Sequence, residues 1–67
     1  MKIQINGKPT EISGSMTVSE LLAEKKVEMP DMVSVELNGD ILARETFATT
    51  RVQADDKLEL LYFMGGG

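Results

Sequence analysis

The residues that could do chemistry in this chain are few, because most of the usual ones are missing. The sequence has no histidine and no cysteine. That removes the common general base, the thiolate nucleophile and the preferred transition-metal ligands. Three features remain. Asp55 and Asp56 are adjacent carboxylates, a pair that can do acid–base work or bind a cation when further ligands converge on it. No such ligands accompany them in the pattern, so they read as solvated turn residues. Arg44 is either an active-site cation or, more ordinarily, a surface arginine paired with an acid. The third feature is the stretch Leu58 to Gly67, LELLYFMGGG, where an apolar run passes directly into three glycines. Glycine gains nothing from a core and loses most freedom on ordering, so Gly65, Gly66 and Gly67 read first as a frayed, flexible tail. The other reading is a narrow extended arm that carries a reactive α-carboxylate on Gly67 away from a rigid platform.

Composition narrows the class of function. At 67 residues, 42% hydrophobic and 27% charged, the chain reads as one globular domain near the lower size limit for an independent core. The expected division is a domain over residues 1–64 and a tail over 65–67. With no cysteine there are no disulfides, which fits a reducing compartment. Met1 to Ile5 lacks the apolar segment of a signal peptide, and no apolar run approaches the roughly 20 residues of a membrane helix. The expectation is a cytoplasmic protein without membrane contact. Eleven acids against seven bases give a formal net charge of −4, and the only basic cluster is Lys25-Lys26. Nucleic acid is a poor partner for such a surface, since phosphate binding demands concentrated positive charge. A carrier or binding module with a basic-surfaced protein partner suits it better than an enzyme does.

The elements that must position the closing stretch follow from periodicity. Met1 to Ile5 alternates apolar and polar residues, the mark of a half-buried strand. Asn6-Gly7 then predicts a tight turn into a return strand over Lys8 to Ser13, with Pro9 placing it at a sheet edge. Thr17-Val18-Ser19-Glu20 fits a capping box opening a helix of about three turns, with Val18, Leu21 and Leu22 on its buried face and Lys25-Lys26 in its last turn. Met29-Pro30-Asp31 prevents continuation. Val33 to Leu37 alternates again, Asn38-Gly39 turns the chain into Ile41-Leu42-Ala43, and Phe47 plugs the core after a bend. Thr50-Arg51-Val52 reads as a short edge strand. In the final strand Leu58, Leu60 and Tyr62 share the face under the helix. Leu61 and Phe63 fall on the open face, either shielded by neighbouring strands or forming a docking patch. These elements amount to an α+β domain, a single mixed sheet of four to five strands with one helix packed on one face.

With the elements placed, the chain resembles the ubiquitin-like β-grasp sulfur carriers of the ThiS/MoaD family over essentially its full length. The resemblance rests on the hairpin at Asn6-Gly7 and on the helix start Thr17-Val18-Ser19-Glu20-Leu21-Leu22. It continues through Val35-Glu36-Leu37-Asn38-Gly39-Asp40-Ile41-Leu42-Ala43-Arg44-Glu45-Thr46-Phe47 and closes with Leu58 to Gly67. The family often has Pro in place of Ala43, Trp in place of Phe47 and Gly-Asp in place of Asp55-Asp56. Prolines common before the tail of the molybdopterin-type carriers are absent, so the thiamine-type carriers are the nearer likeness.

What the resemblance implies is a protein co-substrate rather than an enzyme. A ThiF-like adenylating enzyme would use ATP to activate the Gly67 carboxylate, and a sulfur donor such as a cysteine desulfurase would replace AMP to leave a thiocarboxylate. A ThiG-like thiazole synthase would receive the sulfur for the thiazole ring of thiamine. Gly65 and Gly66 would thread partner active sites, and Leu61, Phe63 and Met64 would guide docking. The chain itself would bind no metal or cofactor and would be monomeric when free. Delivery to molybdopterin, cysteine, homocysteine or tRNA thiolation, or use as a protein modifier, are the alternatives.

Overall fold

In the computed structural model, residues 1–62 are described. Phe63, Met64, Gly65, Gly66 and Gly67, and with them the expected boundary after residue 64, lie outside the described residues.

The first hairpin forms where Asn6-Gly7 places it. β1 (Lys2–Ile5) runs antiparallel to β2 (Lys8–Glu11), with Ile3 opposite Thr10. Asn6 and Gly7 take left-handed backbone, φ 51° and 80°, the geometry whose twist matches that of the flanking strands. Pro9 lies in β2 at the margin of the sheet, where its missing N–H breaks no interior ladder. The return strand ends at Glu11 rather than Ser13. Ser13 instead turns to the helix, its hydroxyl donating to Glu24 Oε1 at 2.7 Å.

β3 (Met16–Thr17) leads into α1 (Val18–Glu24), and the capping box is present in both directions. The Glu20 amide donates to Thr17 Oγ1 at 3.2 Å, and the Thr17 amide donates to Glu20 Oε1 at 2.8 Å. The Val18 and Ser19 amides, which have no partner within the helix, donate to the carbonyls of Thr50 and Phe47. The helix is seven residues long, shorter than the periodicity suggests, and its last turn holds no basic residue. Lys25 is the C-cap and Lys26 turns left-handed at φ 54°. The Lys26 amide donates to Ala23 O and the Val27 amide to Leu22 O, the bond pair of a Schellman stop. Lys25 reaches sideways, its Nζ donating to Glu11 O at 2.7 Å.

β4 (Val33–Leu37), β5 (Asp40–Ile41), a 3-10 helix (Arg44–Thr46), β6 (Arg51–Val52) and β7 (Lys57–Tyr62) follow. The main sheet has the order β2-β1-β7-β4-β5, and β3 pairs with β6 in a small two-stranded sheet. β1 and β7 are parallel; the other pairs are antiparallel. β7 is therefore the middle strand. Its Leu58 is fully buried with Ile3, Val18, Leu21, Val33, Val35 and Val52, and Phe47 closes the core from the 3-10 segment as expected. A mixed sheet with one helix on one face in this order is the ubiquitin-like β-grasp, an α+β fold. Among the described residues no helix is long and apolar enough to cross a membrane.

Candidate functional site

The candidate site is the platform from which residues 63–67 follow, and that platform is β7. Two asparagines hold the strand, one from each side. Asn38, at the second tight turn (φ 52°, followed by Gly39 at 92°), donates its amide to Lys57 O at 2.7 Å. Its Oδ1 accepts from the Lys57 amide at 2.9 Å. Asn6 lies on the β1 side: its amide donates to Leu58 O at 2.9 Å, and its Oδ1 accepts from the Leu60 amide at 2.8 Å. β1 ends at Ile5, so the Asn6 side chain carries the ladder one step further along β7 than the backbone of β1 does. The same two residues that make the turns possible also fasten the central strand.

Alternation along β7 then decides what faces where. Leu58 and Leu60 point toward the helix side with the core, while Glu59 and Leu61 point to the open face. Leu61 is 36% exposed, so the neighbouring strands leave it accessible. Ile41 shares that open face, because it stands opposite Glu36, which stands opposite Glu59. It is 64% exposed. Sequence reasoning placed Ile41 in a strand without assigning it to this surface; the offset from Asn38-Gly39, which fixes its pairing with Glu36, was the available signal. Glu36 and Glu59 are like charges directly across from each other, an unfavourable cross-strand arrangement.

Tyr62 differs from its expected role. It lies on the helix side by alternation, but at the end of the sheet, and remains 37% exposed. Its hydroxyl donates to Glu28 O at 2.6 Å, so the ring reaches past the core to the loop after the helix. Arg44 also departs from expectation, since its partners are carbonyls and not an acid. Nη1 donates to Pro30 O at 2.9 Å and Nη2 to Val33 O at 2.6 Å, while the guanidinium stands 5.3 Å from the centre of the Phe47 ring. Two of its five donors fasten the loop to the fold. Asp56 is a turn organiser: Oδ2 accepts from the Gln53 amide at 2.7 Å and Oδ1 from Asn38 Nδ2 at 3.1 Å. Phe63, Met64, Gly65, Gly66 and Gly67, the rest of the expected site, lie outside the described residues.

Comparison with known proteins bears on what such a platform serves. The sequence model of the ThiS family matches residues 3–67. The crystal structure of a thiamine biosynthesis protein (ThiS) from Geobacter metallireducens superposes with a TM-score of 0.92 at 49% identity, each chain covered in full. A thiazole synthase from Paramagnetospirillum magneticum is 43% identical over the whole of this chain, and one from Magnetococcus marinus is 36% identical. In both, the matched region is 20% of the relative's length, so the chain spans about a fifth of these curated relatives. A full-length fold match and a family match through the glycines agree with the strand order and turns described above: the chain belongs to the ThiS family.

Proposed function

We propose that this protein is a sulfur carrier for formation of the thiazole ring of thiamine, with the Gly67 carboxylate as its reactive group. The observation that carries the proposal is the full-length match, at 49% identity, to the structure of a thiamine biosynthesis protein. The relatives named thiazole synthase support an enzyme of that kind as the recipient.

The chemistry needs little from the carrier's side chains. A carboxylate oxygen of Gly67 attacks the α-phosphorus of ATP, and pyrophosphate leaves. A donor at the oxidation level of hydrosulfide then attacks the acyl carbon, and AMP leaves, so that the terminus becomes a thiocarboxylate. An adenylating partner supplies the ATP site. Where the sulfur comes as a persulfide, from a donor such as a cysteine desulfurase, its attack gives an acyl disulfide. A second thiol then attacks the donor's sulfur to release the thiocarboxylate and leave a disulfide. Carboxylates are poor electrophiles, and adenylation overcomes this. The carrier contributes placement: Gly65 and Gly66 present no Cβ to a narrow channel, and a central strand bonded on both sides as far as Leu60 gives them a base. Leu61 and its open-face neighbour Ile41 offer an exposed apolar surface for docking, and Phe63 and Met64 would guide it further. The carrier acts as a co-substrate in the cytoplasm, monomeric between encounters.

Incubation with ATP, a sulfur source and the cognate adenylating enzyme, followed by intact-mass spectrometry, tests this. The expected result is an oxygen-to-sulfur increment confined to the C-terminal fragment. Absence of the increment with every adenylating enzyme tried would refute the carrier reading, and isopeptide-linked ladders would point to a protein modifier instead. Leu61→Glu is expected to weaken turnover by the partners while leaving the unfolding transition in place, because the side chain is accessible.

A further inference from the structure

Loop 26–32 connects the helix to β4 and runs alongside the end of β7. Two of its residues, Lys26 and Met29, hold left-handed backbone at φ 54° and 50° without being glycine. For such residues that conformation is unfavourable in isolation and persists only when surrounding contacts over-determine it. The contacts are identifiable. Arg44 donates to the carbonyls of Pro30 and Val33 at the far end, the Met32 amide donates to Met29 O at 2.8 Å within the loop, and Tyr62 donates to Glu28 O from β7. Tyr62 is the last described residue, and Phe63 to Gly67 follow it directly.

Resting on the carrier reading above, we infer that Tyr62 is a positioning residue for partner engagement, its hydroxyl tying the end of β7 to this braced loop and so holding the strand end from which residues 63–67 follow. The backbone of β7 alone does not do this. β1 stops short of it, and the Asn6 side chain reaches only the Leu60 amide, so beyond Leu60 the described backbone ladder is with β4 alone. The Tyr62 side chain supplies a second restraint on the helix side. It spans 34 positions of sequence to a loop that Arg44 in turn fastens beside the buried Phe47. Met29 and Met32, 53% and 60% exposed, ride on the same loop.

Removing the tether spreads the end of β7 over more directions, of which only a fraction enter a partner's channel. The apparent affinity falls by that fraction, while a tail that has entered reacts as before. Tyr62→Phe keeps the ring and removes only the donor. With the enzyme that adenylates the wild-type carrier, measured by pyrophosphate release, KM for the carrier is expected to rise by roughly fivefold, the scale of one lost hydrogen bond, with kcat within about twofold. Amide exchange at Met32 should quicken in the variant, reporting the loosened loop. An unchanged KM, or a fall in kcat at unchanged KM, would overturn the inference while leaving the carrier reading intact. Failure of Tyr62→Phe to fold would overturn it too, by showing that the hydroxyl holds the domain rather than the strand end. A wild-type protein that releases no pyrophosphate with any adenylating enzyme would remove the carrier reading, and this inference with it.

Discussion

Asn6 does two separable things, and substituting it in two ways should show both. Its backbone occupies the left-handed region at φ 51°, and its Oδ1 takes the Leu60 amide at 2.8 Å. Asn6→Gly keeps the conformational freedom and removes the acceptor. Leu60 is only half-buried, so water can partly replace the lost bond, and the cost should fall near the middle of the usual range for one hydrogen bond, about 1 kcal/mol. Asn6→Ala loses the same bond and also forces a Cβ-bearing, non-polar residue into left-handed backbone, adding roughly 1–2 kcal/mol. The expected ladder is therefore wild type, then Gly at about 1 kcal/mol, then Ala at about 2–3 kcal/mol. For a domain of this size, total stability is on the order of 3–10 kcal/mol, and each kcal/mol moves the midpoint by about 4–8 °C. Urea and thermal unfolding would both resolve the steps, with the urea m-value unchanged because the surface exposed on unfolding is the same. Amide exchange at Leu60 should quicken equally in both variants. If Gly matches wild type, the Asn6–Leu60 bond contributes nothing to β7. If Ala matches Gly, left-handed backbone at residue 6 does not constrain the first hairpin.

Three further outcomes follow from other contacts. Lys26→Gly should stabilise the fold by about 0.5–1 kcal/mol in chemical denaturation, because the helix stop at φ 54° suits glycine; a loss of stability would mean the lysine side chain supports the stop. Glu59→Lys should stabilise by about 0.5 kcal/mol at low salt and less at high salt, since it places opposite charges across from each other where Glu36 now faces Glu59; an effect indifferent to salt would refute the electrostatic explanation. The Ser13 hydroxyl, bonded to Glu24, holds that carboxyl below its ordinary value of 4.5, with the Ser13 amide and the charge of Lys25 acting in the same direction. A carboxyl depressed in the folded state contributes stability above that ordinary value and loses it as the pH falls toward the folded one. Ser13→Ala should therefore raise the Glu24 titration seen by NMR and flatten the stability profile below pH 4.5; an unmoved titration would refute the attribution.

The parts of this fold legible in the sequence are those fixed by near neighbours. Both Asn-Gly turns, the Thr17–Glu20 capping box, the edge position of Pro9 and the burial of Phe47 each depend on a few adjacent residues, and each appears where the pattern put it. The features missed depend on contacts made across the fold. The helix stops early because Lys26 accepts a backbone conformation that glycine usually marks, so no residue type announces it. Arg44 binds carbonyls brought near it by the loop after the helix, and hydrogen bonds to backbone leave no trace in charge pairing. Tyr62 obeys the alternation of its strand, but the helix ends before covering it, and the hydroxyl finds Glu28 instead. Of the candidate site, the accessibility of Leu61 is visible in the structure and was undecided by pattern; the company of Ile41 on that face emerges from the register of β4 with β5 and β7.

The central place of β7 has a consequence for the order in which the protein can be made. Until Lys57 to Tyr62 have been synthesised, the chain holds two hairpins, β1–β2 and β4–β5, with no strand between them. The bond from Leu60 to Asn6 joins residues 54 positions apart, and such distant closures come late in assembly. A nascent chain therefore joins its hairpins and buries Leu58 in the core only when β7 arrives. A fragment broken off before Lys57 lacks the strand that joins the two hairpins, and so cannot close the main sheet.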